Sequence, residues 1–262
     1  MRIIISPAKK MRDDTDSLEW RELPALLPQA EQLCGRLRSL PYAELRKLWK
    51  CNSQIAQTNA ERLERMDLRG RLCPAILAYE GIQYQYMAPD AFTNGELAYI
   101  QEHLRILSGF YGVLRPLDGV TPYRLEMQAR LQVGGAKDLY SFWGDRIAKR
   151  LFAETDCIVN LASKEYSLCV SKYLPKTVRF LTCVFGEESG GRIIEKGTLC
   201  KMARGEMARY MAENQIEAPE ALKAFSRLGY QYAPEHSGED RYVFLRKGPR
   251  RAAPRSPGGN RP

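Results

Sequence analysis

The stretch that decides the fold is residues 157–196, CIVNLASKEYSLCVSKYLPKTVRFLTCVFGEESGGRIIEK. The apolar run Cys157–Leu161 predicts a buried strand, the pattern of residues 164–173 predicts a helix, and residues 177–185 predict a second strand. A hairpin turn at residues 188–191 then leads into a third strand. Strands joined partly by a helix and partly by a hairpin indicate an α+β fold with a mixed sheet, not a regular doubly wound sheet.

The same alternation extends outward to both ends of the sequence. An opening strand is predicted at Arg2–Ile5, and a closing hairpin joins residues 229–233 to Arg241–Arg246. A further strand is predicted at 75–79, and helices at 25–37, 42–49, 53–66, 94–107, 139–153, 198–214 and 220–228. Asn52, Thr93 and Asp138 are suited to cap three of these helices. Since no repeat or change in composition divides residues 1–246, we expect one compact domain with flanking helices there.

The net charge of +9 is unevenly distributed along the 262 residues. Residues 104–150 carry 8 basic and 4 acidic side chains, and residues 247–262 carry 5 basic and no acidic ones, whereas the remaining segments balance. The last segment, KGPRRAAPRSPGGNRP, has no large apolar side chain, so we expect a disordered, solvated tail there; a nucleic-acid-binding arm is the less favoured interpretation. The sequence argument for a polyanionic partner therefore rests mainly on residues 104–150.

Several classes of protein are disfavoured by composition. No apolar run approaches the roughly 18–20 residues of a membrane span, and the first apolar run is too short for a signal peptide. The seven cysteines form no CxxC pair, and His103 and His236 are the only histidines. We therefore expect a cytoplasmic protein with reduced cysteines, no metal site, no cofactor and no membrane partner.

The densest motif is residues 104–127, LRILSGFYGVLRPLDGVTPYRLEM. It predicts two helices joined by a hairpin at Gly109 and Gly112, a helix-hairpin-helix-like element whose backbone N–H groups could contact a phosphate. The usual pattern spaces its glycines as G-x-G, so a helix C-cap followed by a turn at Pro116 stays open as an alternative. The candidate phosphate-binding and stacking side chains near this hairpin are Arg105, Tyr111, Arg115, Tyr123 and Arg124.

A second motif, KMARGEMAR at residues 201–209, places Lys201 and Arg204 on one helix face beside Gly205. Glycine inside a strong helix indicates either a close approach by a ligand or a crossing with another helix. Both interpretations are open, the second one leaving the two cations in solvent.

Two further motifs follow predicted strands. In NLASKEY, residues 160–166, Asn160, Ser163, Glu165 and Tyr166 lie between a strand and a helix, where ligands often bind. A plain helix cap by Ser163 would explain the same pattern. In SPAKK, residues 6–10, Lys9 could bind a phosphate or act as a nucleophile, although most surface lysines do neither.

The sequence resembles the YaaA family of bacterial peroxide stress resistance proteins over residues 1–246. The segments that carry the resemblance are SPAKK (6–10), YEGIQYQ (79–85), LSGFYGVLRPLDGVTPYRLEM (107–127), LYSFW (139–143), NLASKEY (160–166), KMARGEMARYM (201–211), LKAFSRLGYQY (222–232) and YVFLR (242–246). The resemblance implies a cytosolic protein protective against oxidative stress, with a family-specific α+β fold, a basic cleft, a helix-hairpin-helix element and links to DNA repair and to damage from free iron. It implies no established catalytic activity.

Two functional hypotheses follow. The first is a DNA-binding stress protein that contacts duplex or branched DNA without reading its sequence and protects it from peroxide and iron-linked damage. Its DNA-contacting residues would be Lys9, Arg105, Gly109, Tyr111, Gly112, Arg115, Tyr123, Arg124, Asn160, Lys201 and Arg204.

The alternative hypothesis is an enzyme acting on a nucleotide, nucleobase or phosphorylated metabolite in the same cleft. Its candidate catalytic residues are Lys9, Glu126, Ser163, Glu165 and Tyr166. A small shared pocket for Lys9, the two glutamates, Lys201 and Arg204 would favour the enzyme over an open DNA groove. Direct iron sequestration is disfavoured by the sparse histidines.

Overall fold

The computed structural model describes residues 1–13 and 16–246. Its strands are β1 (Arg2–Ile5), β2 (Lys10–Met11), β3 (Cys73–Pro74), β4 (Tyr79–Glu80), β5 (Leu104–Ser108), β6 (Gly112–Leu114), β7 (Gly119–Val120), β8 (Cys157–Leu161), β9 (Arg179–Ser189), β10 (Arg192–Ile194), β11 (Tyr230–Tyr232) and β12 (Arg241–Arg246). Its α-helices are α1 (Leu27–Arg38), α2 (Tyr42–Trp49), α3 (Ser53–Arg65), α4 (Ala75–Ala78), α5 (Ile82–Met87), α6 (Asn94–His103), α7 (Leu139–Trp143), α8 (Arg146–Phe152), α9 (Lys164–Ser171) and α10 (Gly197–Glu213). Short 3-10 helices occupy Pro89–Ala91, Pro219–Ala224, Arg227–Gly229 and Pro234–His236. The expected tail, residues 247–262, lies outside the described residues.

A mixed eight-stranded sheet forms the centre of the domain, in the order β11-β12-β9-β8-β1-β5-β6, with β10 paired to β9. The five strands from β12 to β5 run parallel, β11 and β6 pair antiparallel at the two edges, and β10 pairs antiparallel with the end of β9. Ile3, Ile4 and Ile5 are fully buried in β1, as expected for a central parallel strand covered on both faces. The α+β class with a mixed sheet and flanking helices is confirmed.

Several predicted elements are present with nearly the predicted bounds. The strands β1 and β8 and the β11–β12 hairpin are confirmed. Asn52 and Asp138 accept capping hydrogen bonds from Ile55 N and Ser141 N, and Thr93 forms a capping box with Glu96. These caps act within a few residues, which makes them readable from sequence.

The helix-hairpin-helix prediction is not supported, because residues 104–114 form the β5–β6 hairpin. The preceding helix ends at His103, and Leu104, Arg105 and Ile106 pair in parallel with β1. This apolar run gains more by filling the place beside β1 than by extending the helix. Gly112, at φ +76°, provides the left-handed conformation that the tight turn requires.

Three other predictions need correction. Of residues 75–79, predicted as a strand, the first four form the short helix α4, and Tyr79 begins the two-residue strand β4. The helix predicted over residues 139–153 is divided into α7 and α8 by Gly144, whose φ is +53°. Residues 220–228 form 3-10 turns, not an α-helix.

Within the described ranges, no helix is long and apolar enough to cross a membrane.

Candidate functional site

A pocket of about 390 Å³ opens where β1 and β8 end. Ile5 pairs with Leu161 in parallel, so the loops that follow these two strands leave the sheet at the same edge. Ligands in open parallel sheets commonly bind at this edge. The pocket is lined by Ser6, Pro7, Ala8, Lys9, Lys10, Glu80, Gly81, Ile82, Gln83, Tyr84, Tyr123, Arg124, Leu125, Glu126, Ser163, Glu165, Tyr166, Lys201 and Arg204.

Ser6 and Ser163 fasten the two loops together. Ser163 N donates to Ser6 Oγ at 2.8 Å, and Ser6 Oγ donates to Ser163 Oγ at 3.2 Å. Tyr84 adds a hydrogen bond from its hydroxyl to Ser6 O at 3.0 Å. Ser163 precedes α9, but its hydroxyl makes no capping hydrogen bond to that helix. Ser163 thus occupies the N-cap position of α9, as the helix-cap interpretation expects, but its hydroxyl joins the two loops and does not cap the helix.

Glu126 forms the centre of a charged cluster on one wall. Its Oε2 lies 2.9 Å from Lys9 Nζ, and its Oε1 lies 3.8 Å from Arg124 Nη2. Arg124 also donates from Nη1 to Lys9 O at 3.4 Å. The side chain of Glu126 is largely buried while Lys9 is exposed, so the lysine stands at the mouth of the pocket.

Glu165 lies beside this cluster and is partly buried. Burial raises the pKa of its carboxyl, and the negative charge of Glu126 raises it further, against a hydrogen bond from Gln128 N that lowers it. Burial likewise raises the pKa of the neighbouring Tyr166 well above its usual value. A partly buried carboxyl with a raised pKa beside a second carboxyl group is an arrangement suited to proton transfer.

Arg204 and Lys201 enter the pocket from α10. Gly205 lies at the crossing of α10 with α5, where an added Cβ would come within 2.2 Å of Gln83 O. The helix-crossing interpretation of Gly205 is therefore confirmed. Because that crossing brings α10 against the pocket-lining Gln83, Arg204 and Lys201 line the pocket and do not simply extend into solvent.

Four predicted DNA-contacting residues in the β5–β6 hairpin are buried, which corrects the expectation that they meet a phosphate. Arg105 is 2% exposed and pairs with Glu154 at 2.7 Å. Tyr111 is fully buried, Gly109 packs on the backbone of residues 125–127, and Gly112 packs on Trp143. None of the four lines the pocket.

Three other candidates have separate locations. Asn160 is buried and uses its side chain to accept from Ala162 N at 3.0 Å and to donate to Thr182, so it shapes the turn after β8. Arg115 lies away from the pocket and pairs with Glu22 at 3.4 Å. Tyr123 does line the pocket, but its hydroxyl is engaged by Ser108 at 2.7 Å and Tyr79 at 2.9 Å. Burial raises the pKa of Tyr123 to about 12.

The structure adds pocket residues that were not among the candidates. Ser6, Lys10, Glu80, Gln83 and Tyr84 all line it. The segments SPAKK and YEGIQYQ contain all five and carried the family resemblance, which was the available signal. The predicted strand at 75–79 obscured this signal, because a strand there gives no reason for residues 80–84 to approach the loop that follows β1.

Metal ligation finds no support in the described part of the chain, where no three His, Cys, Asp or Glu side chains lie close enough to hold an ion. Of the four residue types considered as metal ligands, the pocket contributes only glutamates, and each of them lies near a basic side chain or a backbone donor. Carboxyl groups and basic side chains therefore lie together in the pocket.

Comparison with known proteins places this architecture in a family. A family model described as peroxide stress protein YaaA matches residues 1–236. A UPF0246 protein of Agathobacter rectalis is 53% identical over 247 residues, covering 94% of this chain and 99% of its own. UPF0246 proteins of Lachnoclostridium phytofermentans (54% identical, 94% of this chain and 96% of its own) and Desulfitobacterium hafniense (53%, 94% and 98%) are similarly close. The chain belongs to the peroxide stress protein YaaA family.

Proposed function

We propose that this protein acts in the peroxide stress response by binding a nucleotide, a nucleobase or a phosphorylated metabolite in the pocket and acting on it by proton transfer. One observation carries the proposal: Lys9, Glu126, Glu165, Lys201 and Arg204 come from four separate segments and line one pocket. A volume of about 390 Å³ suits one small molecule and not a length of duplex. The stress context comes from the family.

In this proposal the carboxyl group with the raised pKa, Glu165, exchanges a proton with the substrate. Glu126, paired with Lys9 and Arg124, raises the pKa of Glu165 through its negative charge. Lys9 anchors an anionic group at the mouth, where its side chain is 65% exposed. Ser163 and Tyr166 complete the wall beside Glu165.

The test is protection against hydrogen peroxide in bacteria that lack their own copy of the protein. Wild type should restore survival, whereas Lys9→Ala and Glu165→Gln should not, at equal protein levels. Arg69→Gln is the matched control and should protect fully. It removes an exposed partner of Glu31 at a position distant in sequence from Lys9 and Glu165. Full protection by both pocket variants would overturn the proposal.

DNA binding is the second candidate function, favoured by the exposed lysines 9, 10 and 201 around the mouth of the pocket. In this version the lysines and the two pocket arginines contact backbone phosphates of duplex or branched DNA, and binding limits peroxide and iron-linked damage. If about four phosphates are neutralised, log K should fall with log salt at a slope of roughly −3.6. Titrations should use the full chain and a chain ending at Arg246, because the last residues carry five positive charges. Absence of binding by the shorter chain at low salt would overturn this candidate.

A further inference from the structure

Two arginines in the pocket have a buried donor without an acceptor. The Nε atoms of Arg124 and Arg204 are both buried and make no hydrogen bond, and both side chains line the same pocket. In the described residues only one other buried side-chain nitrogen or oxygen, Trp49 Nε1, shares this condition. Buried donors are nearly always paired in native proteins, so two exceptions in one pocket indicate a missing acceptor.

The carboxylates near these arginines balance their charge without filling the hydrogen-bonding positions. Glu126 lies 3.8 Å from Arg124 Nη2, and Glu195 lies 3.8 Å from Arg204 Nη2. Both distances exceed the range of a hydrogen bond. The nearby carboxylates balance the charge of both guanidinium groups, and Arg124 also donates from Nη1 to Lys9 O, but the Nε–H donors of both arginines remain without an acceptor.

The charge of the lining indicates what kind of acceptor fits. Five basic side chains and three acidic ones line the pocket, a formal net charge of +2 that becomes +3 when Glu165 holds a proton. A phosphomonoester carries close to two negative charges at neutral pH, whereas an internal phosphodiester of DNA carries one. Arginine also matches the geometry of phosphate oxygens better than lysine does, because its planar fork can donate two hydrogen bonds at once.

We infer that Arg124 and Arg204 form a binding seat for the phosphate of a phosphomonoester, such as a mononucleotide or a small phosphorylated metabolite. The inference rests on the proposed function, because it names the substrate class of the same pocket. The phosphate accepts hydrogen bonds from the guanidinium groups of these two arginines, whose side chains line the pocket, and the rest of the ligand extends toward Glu165 and Tyr166.

Calorimetric titration of the full chain tests the seat, with AMP, inorganic phosphate, adenosine and succinate as probes. AMP and phosphate should bind, and adenosine should bind at least tenfold more weakly than AMP. Arg124→Gln and Arg204→Gln should each weaken AMP binding about 10- to 100-fold, the effect of losing charge-assisted hydrogen bonds. Arg204→Lys should recover little of this loss, and Arg69→Gln should bind like wild type. Equal binding of adenosine and AMP, or unchanged binding by both glutamine variants, would overturn the seat. Succinate binding as tight as that of AMP would overturn phosphate in favour of a carboxylate ligand.

Thermal unfolding provides a second readout that does not depend on ligand affinity. Arg204→Met removes an unpaired buried donor, so its Tm without ligand should equal or exceed that of wild type, and 10 mM phosphate should raise the Tm of wild type alone. A lower Tm for the variant would show that the arginine is structural and would contradict the seat. Failure of the seat is distinguishable from failure of the proposed function. If AMP binding depends on the arginines but Lys9→Ala and Glu165→Gln protect cells fully, only the proposed function fails. If those two variants lose protection but AMP binding does not depend on the arginines, only the seat fails.

Discussion

Gly205→Ala is the substitution whose effect the structure defines most closely. The glycine lies in α10 where that helix crosses α5, and an added Cβ would stand 2.2 Å from Gln83 O and 3.0 Å from Met87 N. Both blocking atoms belong to the backbone of α5, so no flexible side chain can turn away. Since ordinary contact begins near 3.4 Å, the two helices must move apart to admit the methyl group.

Two opposing contributions set the change in unfolding free energy that Gly205→Ala causes. Alanine is a better helix former than glycine by about 1 kcal/mol. Overpacking of a well-packed contact costs about 1–3 kcal/mol, and a clash with backbone falls at the upper end of that range. The net loss of unfolding free energy should be about 2 kcal/mol, which corresponds to a fall in Tm of about 4–8 °C. Because Gln83 and Arg204 both line the pocket, the same shift should weaken AMP binding.

The assay is thermal unfolding followed by circular dichroism, with Gly35→Ala as the matched control. Gly35 lies inside α1, and a Cβ there would meet nothing within 4 Å. The control should therefore gain about 0.5–1 kcal/mol and unfold at a higher temperature than wild type. A Tm for Gly205→Ala at or above that of wild type would refute the helix-crossing argument.

Three further predictions concern charged residues. Burial raises the pKa of Asp118 to about 7 despite a hydrogen bond from Arg115 N, so the folded state binds the proton more tightly than the unfolded state and loses stability as pH rises through 4–7. Between pH 5 and 7 this loss should be on the order of 2 kcal/mol in urea titrations, and Asp118→Asn should abolish it. Parallel pH profiles of wild type and variant would contradict this prediction. Arg105→Gln leaves Glu154 without its best-buried partner and should lower the free energy of unfolding by about 3 kcal/mol in the same assay. AMP binding by the folded variant should stay unchanged. Lost binding with full stability would restore a phosphate-contacting role for Arg105. Glu126→Gln removes a negative charge beside the phosphate seat and should tighten AMP binding about tenfold by calorimetry, so weaker binding would show that Glu126 orients the arginines instead.

Much of the fold follows from local sequence signals, and the exceptions have a common cause. The caps at Asn52, Thr93 and Asp138 act over a few residues, so the sequence around them predicts the helices that they begin. Residues 104–108 have an equally local signal for continuing the helix, but the partner that decides their structure is β1, a hundred residues earlier. Non-local strand pairing of this kind overrides local preference and cannot be read from a short window.

The candidate site shows the same division. Lys9, Glu126 and Glu165 were predicted because they sit in short polar motifs at the ends of apolar runs, and the pocket does bring them together. Gln83 and Tyr84 were not among the candidates, because their place depends on α5 packing against α10, which is visible in sequence only as a single glycine at position 205. A glycine inside a helix indicates a close approach without identifying what approaches.

The β5–β6 hairpin explains why the densest motif lies next to the site without forming it. A Cβ added at Gly109 would stand 2.6–3.0 Å from the backbone of residues 125–127, and the Gly109 carbonyl accepts from Trp143 Nε1 at 3.0 Å. Ser108 holds the hydroxyl of Tyr123 at 2.7 Å. The hairpin thus fixes the segment that presents Arg124 and Glu126 to the pocket, from behind and without touching a ligand. Glycines there serve close packing of one backbone on another, so their effect on binding must act through the position of Arg124 and not through contact with a phosphate.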